Sequence, residues 1–119
     1  MRSEAPAWTL CSGINYTEQE RASQWVYEKL QNKMRILKYS GDTDGAVPTL
    51  GTLGWINSLN WEIKEDWRPY MVDNQVAGYV VEYDGLTLGT VHGCGHMAPQ
   101  WKRPQTFHLI FNFIKNVKI

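Results

Sequence analysis

Neither sign of charge prevails in this chain: twelve lysines and arginines are matched by twelve aspartates and glutamates among 119 residues. That balance removes the electrostatic argument for a nucleic acid or an anionic membrane as partner. No apolar run approaches the roughly 20 residues that cross a bilayer, so no membrane-spanning helix is expected. Cysteine is scarce: Cys11 and Cys94 form neither a Cys-x-x-Cys motif nor a metal pattern. They could pair with each other, although their settings suggest separate environments, one in the N-terminal segment and one between two glycines. Internal repeats, linkers and low-complexity tracts are absent as well. The start, Met1 to Pro6, lacks the apolar stretch of a signal peptide. A C-terminal piece of a secreted precursor would lack one too, so this excludes no compartment.

The composition that remains is that of a folded protein, 43% hydrophobic and 20% charged, with room for one domain and one modest core. Six tryptophans and six tyrosines are enough to fill such a core and line its rim. Trp61, Trp67 and Trp101 fall in loop-like stretches and are the candidates for pocket walls. Asn15-Tyr16-Thr17 is a glycosylation sequon, meaningful only in a secretory protein.

Local patterns predict the elements. Thr17 and Glu20 have capping-box spacing, and Ala22, Trp25, Val26 and Leu30 follow at helical intervals, ending near Asn32. Arg35 to Gly41 reads as a buried strand stopped by glycine. Pro48 and Thr49 prepare a second helix through Leu50, Leu53, Ile56 and Leu59. Residues 60–75, rich in tryptophan and charge, read as an excursion or loop. Gln75 to Tyr83 and Leu86 to His92 flank Asp84-Gly85, a two-residue hairpin signal. Pro104 suits the first turn of a last helix. Phe107, Ile110, Phe111 and Ile114 form its apolar face, and Lys115 and Lys118 suit its end. The expected class is α/β, a small sheet with flanking helices and at least one exposed sheet edge.

Two loops carry the chemistry, each beginning where a strand-like run stops. Gly41-Asp42-Thr43-Asp44 supplies carboxylates, and Gly93-Cys94-Gly95-His96-Met97-Ala98-Pro99 supplies an imidazole. A carboxylate that fixes one imidazole nitrogen stabilises the imidazolium formed as the other accepts a proton. Asp44 is the chosen orienting acid and His96 the base, with Asp42 bonding loop amides. The alternative is that both aspartates merely cap the turn before the second helix. Gly93 and Gly95 permit tight backbone bends around the histidine. His92 and His108 read as structural. Cys94 as nucleophile has nothing nearby to lower its pKa. His92, His96 and Asp44 match no familiar metal spacing, so neither metal nor cofactor is expected. No Gly-x-Ser-x-Gly elbow occurs in the chain.

At these residues the chain resembles the C-terminal part of the serine carboxypeptidases, an α/β-hydrolase family. The matching stretches are Arg35 to Pro48, Gly51 to Ile56, Ala77 to Tyr79 and Gly93 to Pro99, with Trp8 to Ser12 ahead of them. The resemblance covers about Trp8 to Ile114, and the motifs agree in order and spacing. It implies removal of C-terminal residues from peptides, in a secreted, lysosomal or vacuolar setting. Asp44 matches the triad acid and His96 the base, while Met97 falls where the family lines the pocket for the departing amino acid. The family's chain order, serine then aspartate then histidine, places the serine upstream. The nucleophile elbow, oxyanion-hole glycines and carboxylate clamp of the family are not in this sequence. The family usually has alanine at position 94. Cys11 matches a cysteine that pairs with one in the absent part, so it is expected as a free thiol or an interchain disulfide.

The expectation is therefore a single partial domain, residues 1–119, contributing the acid and base of a peptidase and inactive alone. Its partners are a peptide substrate and a complementary N-terminal segment carrying the serine, with self-association through the sheet edge as a further outcome. A non-catalytic binding or structural module, and an acyltransferase or esterase using the same triad, are the alternatives.

Overall fold

The sheet is organised around β4 (Leu86–Val91), a run of Leu, Thr and Val broken only by Gly89. Nearly all of it is buried, as expected for a strand covered on both faces rather than alternating in and out. The computed structural model describes residues 7–9, 13–17 and 23–119. In chain order these form α1 (Gln24–Leu30), β1 (Ile36–Gly41), α2 (Thr49–Ser58), β2 (Ile63–Val72), β3 (Gln75–Tyr83), β4, α3 (Ala98–Trp101) and α4 (Arg103–Lys115). The strands pair in the order β1-β4-β3-β2, with β1 parallel to β4 and the other two pairings antiparallel. This is a small mixed sheet with flanking helices.

Side chains leave the strands on alternate faces and build two cores. On one face Val80, Val91, Tyr70 and Cys94 pack with Ala98 of α3 and Leu109 of α4. On the other, Val81, Leu86 and Leu88 pack with Ile56 of α2, and Tyr27 of α1 lies against them. Tyr27 and Trp55 meet at 4.7 Å between ring centroids, tying α1 to α2. Arg35, just before β1, donates to the carbonyls of Phe113 and Ile114 and so places its cation at the C-terminal end of α4.

The hairpin at Asp84-Gly85 forms as read: Tyr83 pairs with Leu86, and Gly85 takes a φ of +102°. The first helix ends at Leu30, close to the expected Asn32. Glu20 of the capping box and Ala22, the first apolar position, lie outside the described residues.

Three expectations are corrected. Residues 60–75 are not an excursion: Ile63–Val72 form β2, joined to β3 by a two-residue turn at Asp73-Asn74. Both turn residues have positive φ, 52° and 59°, the backbone of a type I′ turn built without glycine. Pro69 is tolerated because β2 is an edge strand. β1 is half-buried until Ser40 and Gly41, since it forms the other edge. In α4, Thr106 and Leu109 face inward while Phe107, Phe111 and Ile114 are exposed. Leu109 seats where Gly89 has no side chain, and His108 stacks on Tyr70, which turns the Phe107 stripe outward.

Surface is unusually plentiful. The accessible area is 8946 Å², against roughly 6,600 Å² for a complete folded monomer of this mass. The radius of gyration is 16.5 Å, where about 13.5 Å describes a compact domain of this length. Large apolar side chains are among the exposed ones, Trp8, Ile14 and Tyr16 near the start and Phe107, Phe111 and Ile114 on α4. In sedimentation velocity the purified chain is expected to self-associate or to sediment as an expanded species, with a broad thermal transition. A compact monomer melting sharply in two states would contradict this.

Candidate active site

Parallel neighbours finish at the same end of a sheet. β1 and β4 pair from Ile36 with Leu86 through Gly41 with Val91, so the loops following them emerge side by side. Open α/β sheets place their ligands at such strand ends.

The loops are laced by their backbones. The Asp42 amide donates to the Val91 carbonyl at 3.1 Å, and the Thr43 amide to the Cys94 carbonyl at 3.1 Å. Gly41 permits this approach: a Cβ at that position would sit inside the carbonyl oxygens of Cys94 and Gly95. Thr49, opening α2, donates its hydroxyl to the Gly41 carbonyl at 3.2 Å and anchors the far end of the first loop.

Within this frame His96 Nδ1 lies 3.0 Å from Asp44 Oδ2. The other carboxylate oxygen accepts from the amides of Ala46 and Val47, at 2.7 and 3.1 Å. Asp44 is thus fixed by its own turn before it meets the imidazole. Its side chain is 6% exposed, whereas that of His96 is 60% exposed. The hydrogen bond with His96 holds the Asp44 carboxyl below the ordinary carboxylate range; partial burial opposes it, and the Val47 and Ala46 amides add to it. With Nδ1 engaged by Asp44, Nε2 is the nitrogen left for proton transfer.

A cavity of about 380 Å³ lies beside the pair, lined by residues 37–41 of β1 with Asp44, Val47, Thr52, His96 and Ala98. A larger one, about 460 Å³, opens at the opposite end of the same strands, around Arg35, Ile36 and Leu86. Arg35 there is already engaged by α4 carbonyls, and neither Asp44 nor His96 reaches it. The smaller cavity is therefore the candidate site.

Of the other sequence-predicted residues, Met97 is partly exposed just after His96 and does not line that cavity. Asn15 is exposed. Cys11 lies outside the described residues. Cys94 is a buried free thiol in the core, pushed up in pKa by burial and by the charge of Asp42, the opposite of an activated nucleophile. Trp61 joins the second core, Trp67 stands on β2, and Trp101, on α3, packs against Gly95; none lines the cavity. His92 does not converge with His96 and Asp44; its ring turns to Asp42, with Nδ1 2.7 Å from Oδ2. Among the described residues no group of three His, Cys, Asp or Glu could hold a metal ion. Asp42 accepts from the Gly93 amide, as read, but its bond with His92 was not foreseen. The signal was available: continuing the β1–β4 register by one residue sets 42 opposite 92.

Two outcomes follow. Gly41→Ala should force the loops apart and break the Asp44–His96 bond, seen as loss of the His96 Nδ1 proton from the downfield NMR spectrum. The second concerns acid. An unfolded aspartate titrates near pH 4, above the depressed folded value of Asp44. The bond therefore contributes stability that is complete above about pH 4 and lost as pH falls through the folded pKa. Asp44→Asn should flatten this part of the acid-unfolding profile, measured by denaturant titration between pH 2 and 6 (roughly the span of).

The sequence model of the serine carboxypeptidase family matches residues 1–116. "Putative serine carboxypeptidase-like 30" of Arabidopsis thaliana is 40% identical over 116 residues, 94% of this chain and 24% of the relative. "Serine carboxypeptidase-like 4" of the same plant is 42% identical, covering 90% of this chain and 25% of the relative. "Serine carboxypeptidase 1" of Hordeum vulgare is 32% identical, covering 94% and 23%. The chain spans about a quarter of the length of these curated relatives. With the strand ends, the loop motifs and the relatives in agreement, the chain belongs to the serine carboxypeptidase family.

Proposed function

We propose that this chain contributes the aspartate and histidine of a Ser-Asp-His triad to a serine-type carboxypeptidase, an α/β-hydrolase that removes C-terminal residues from peptides. The observation that carries the reading is the bond between a shielded carboxylate, Asp44, and an open imidazole, His96, at 3.0 Å beside a cavity. The serine would come from a complementary N-terminal segment or chain. The outer edge of β1, which lines the cavity, is where such a segment would add a strand and bring its hydroxyl toward His96 Nε2.

In the assembled site His96 Nε2 takes the serine proton as the hydroxyl oxygen attacks the scissile carbonyl. Asp44 holds the tautomer and stabilises the imidazolium. His96 then returns the proton to the departing amine, leaving an acyl-enzyme, and activates water to release the acid. Met97, partly exposed beside the base, is assigned to the side of the departing residue. The exposed sequon at Asn15 fits a secreted, lysosomal or vacuolar glycoprotein.

The test is complementation. The purified chain alone should not cleave a blocked dipeptide, and mixing it with the serine-bearing segment of a close relative should restore cleavage. In the restored enzyme His96→Ala and Asp44→Asn should each lower kcat by about 10³–10⁴-fold or more. Cleavage by the isolated chain that disappears with His96→Ala would refute the division of the triad between segments.

A further inference from the structure

The chain holds two carboxylate–imidazole couples, and the reading of the site uses one. We propose that the second, Asp42 with His92, is a positioning pair that fixes the His96 loop so that its imidazole can meet Asp44. This rests on the reading of Asp44 and His96 as the acid and base.

Asp42 engages both its oxygens across the gap between the loops. Oδ2 lies 2.7 Å from His92 Nδ1, and Oδ1 accepts from the Gly93 amide at 2.8 Å. Its own amide donates to the Val91 carbonyl. One aspartate therefore grips the last residue of β4 and the first two of the loop that follows. Asp44, two residues on, meets the loop again four residues further, at His96. The two carboxylates act as successive struts between the same pair of segments.

The loop needs such bracing. Gly93 has a φ of +68° and Gly95 follows two residues on; the last tie to the sheet is the His92 amide on the Ala77 carbonyl, at 2.8 Å, and residues 93–97 belong to no strand. Between the struts it is held by the amide of Thr43 on the Cys94 carbonyl and by the buried Cys94 side chain. The His96 ring is largely open to solvent, so packing does little to set its direction. Its alignment with Asp44 is inherited from the course of the backbone at 92–95. A displacement of about 1 Å at a catalytic group can cost on the order of 100-fold in rate. Asp42 thus controls the quantity to which the dyad is most sensitive, without touching the reacting atoms.

A merely stabilising contact would leave His96 unchanged once the chain is folded. A positioning pair would not. The readout is the imidazole ¹H–¹⁵N NMR spectrum of the full ¹⁵N-labelled chain, which gives the tautomer of His96 and the solvent exchange of its Nδ1 proton. Asp42→Ala removes both side-chain grips and leaves the backbone one, His92→Ala removes one, and His92→Asn keeps an amide nitrogen near the place of Nδ1. In folded Asp42→Ala, exchange at His96 Nδ1 should rise by about tenfold or more, with loss of the single tautomer. His92→Ala should move it in the same direction, and His92→Asn should restore it to within about twofold of the unsubstituted chain. A folded Asp42→Ala chain with native His96 signals would overturn the proposal. Should Asp42→Ala fail to fold, the histidine variants decide: indifference of His96 to His92→Ala overturns it, and loss reversed by His92→Asn supports it. Absence of an Nδ1 proton on His96 in the unsubstituted chain would instead sink the dyad itself, and the positioning claim with it.

Discussion

The parallel pairing of β1 with β4 is the constraint on which the site depends. These strands are 50 residues apart in sequence and run in register, Ile36 with Leu86 to Gly41 with Val91. Their ends therefore coincide in space, and the bonds that lace the two loops begin where the ladder stops. Asp42 meets His92 by continuing the offset of 50 residues, whereas Asp44 meets His96 at an offset of 52, reached through the bends of the loops themselves. The hydrophobic burial of β4 on both faces supplies the rigidity. Gly41 removes the one side chain that would hold the loops apart.

The site divides its electrostatics sharply. Asp44 is shielded and fixed by two amides of its own turn, so its charge is directed at His96 rather than dispersed into water. His96 is open to solvent on its other side. Cys94 shows the reverse arrangement a few ångströms of chain away: a reactive side chain made inert by burial. Reactivity in this loop is thus set by which way a residue points, inward at 94 and outward at 96.

Much of this was legible in the residues. Glycine-stopped strands, a proline-started helix and the Asp-Gly hairpin each have a local physical cause, and each formed where read. The meeting of Asp44 with His96 was legible because acidic and histidine loops both followed strand-like runs. What failed depended on distant partners. β2 looked like a loop because its charges and its one tryptophan carry no strong alternation, and an edge strand needs none. Its turn, Asp73-Asn74, uses asparagine-type left-handed conformations in place of glycine. The apolar stripe of α4 was read as a stripe, but most of it turns outward. Which face of a helix turns inward was decided by the vacancy at Gly89 and the ring of Tyr70, neither of which belongs to the helix.

The distance along the chain between the two halves of the dyad has a kinetic meaning. β2, β3 and β4 follow one another through two-residue turns and can zip up from local contacts. β1 must wait for its neighbour to be made, since closing a span of some fifty residues costs more chain entropy than closing a hairpin. Asp44 thereby meets His96 at a late stage of assembly. A half-formed chain carries both side chains without the bond between them, which arises only as the β1–β4 ladder closes.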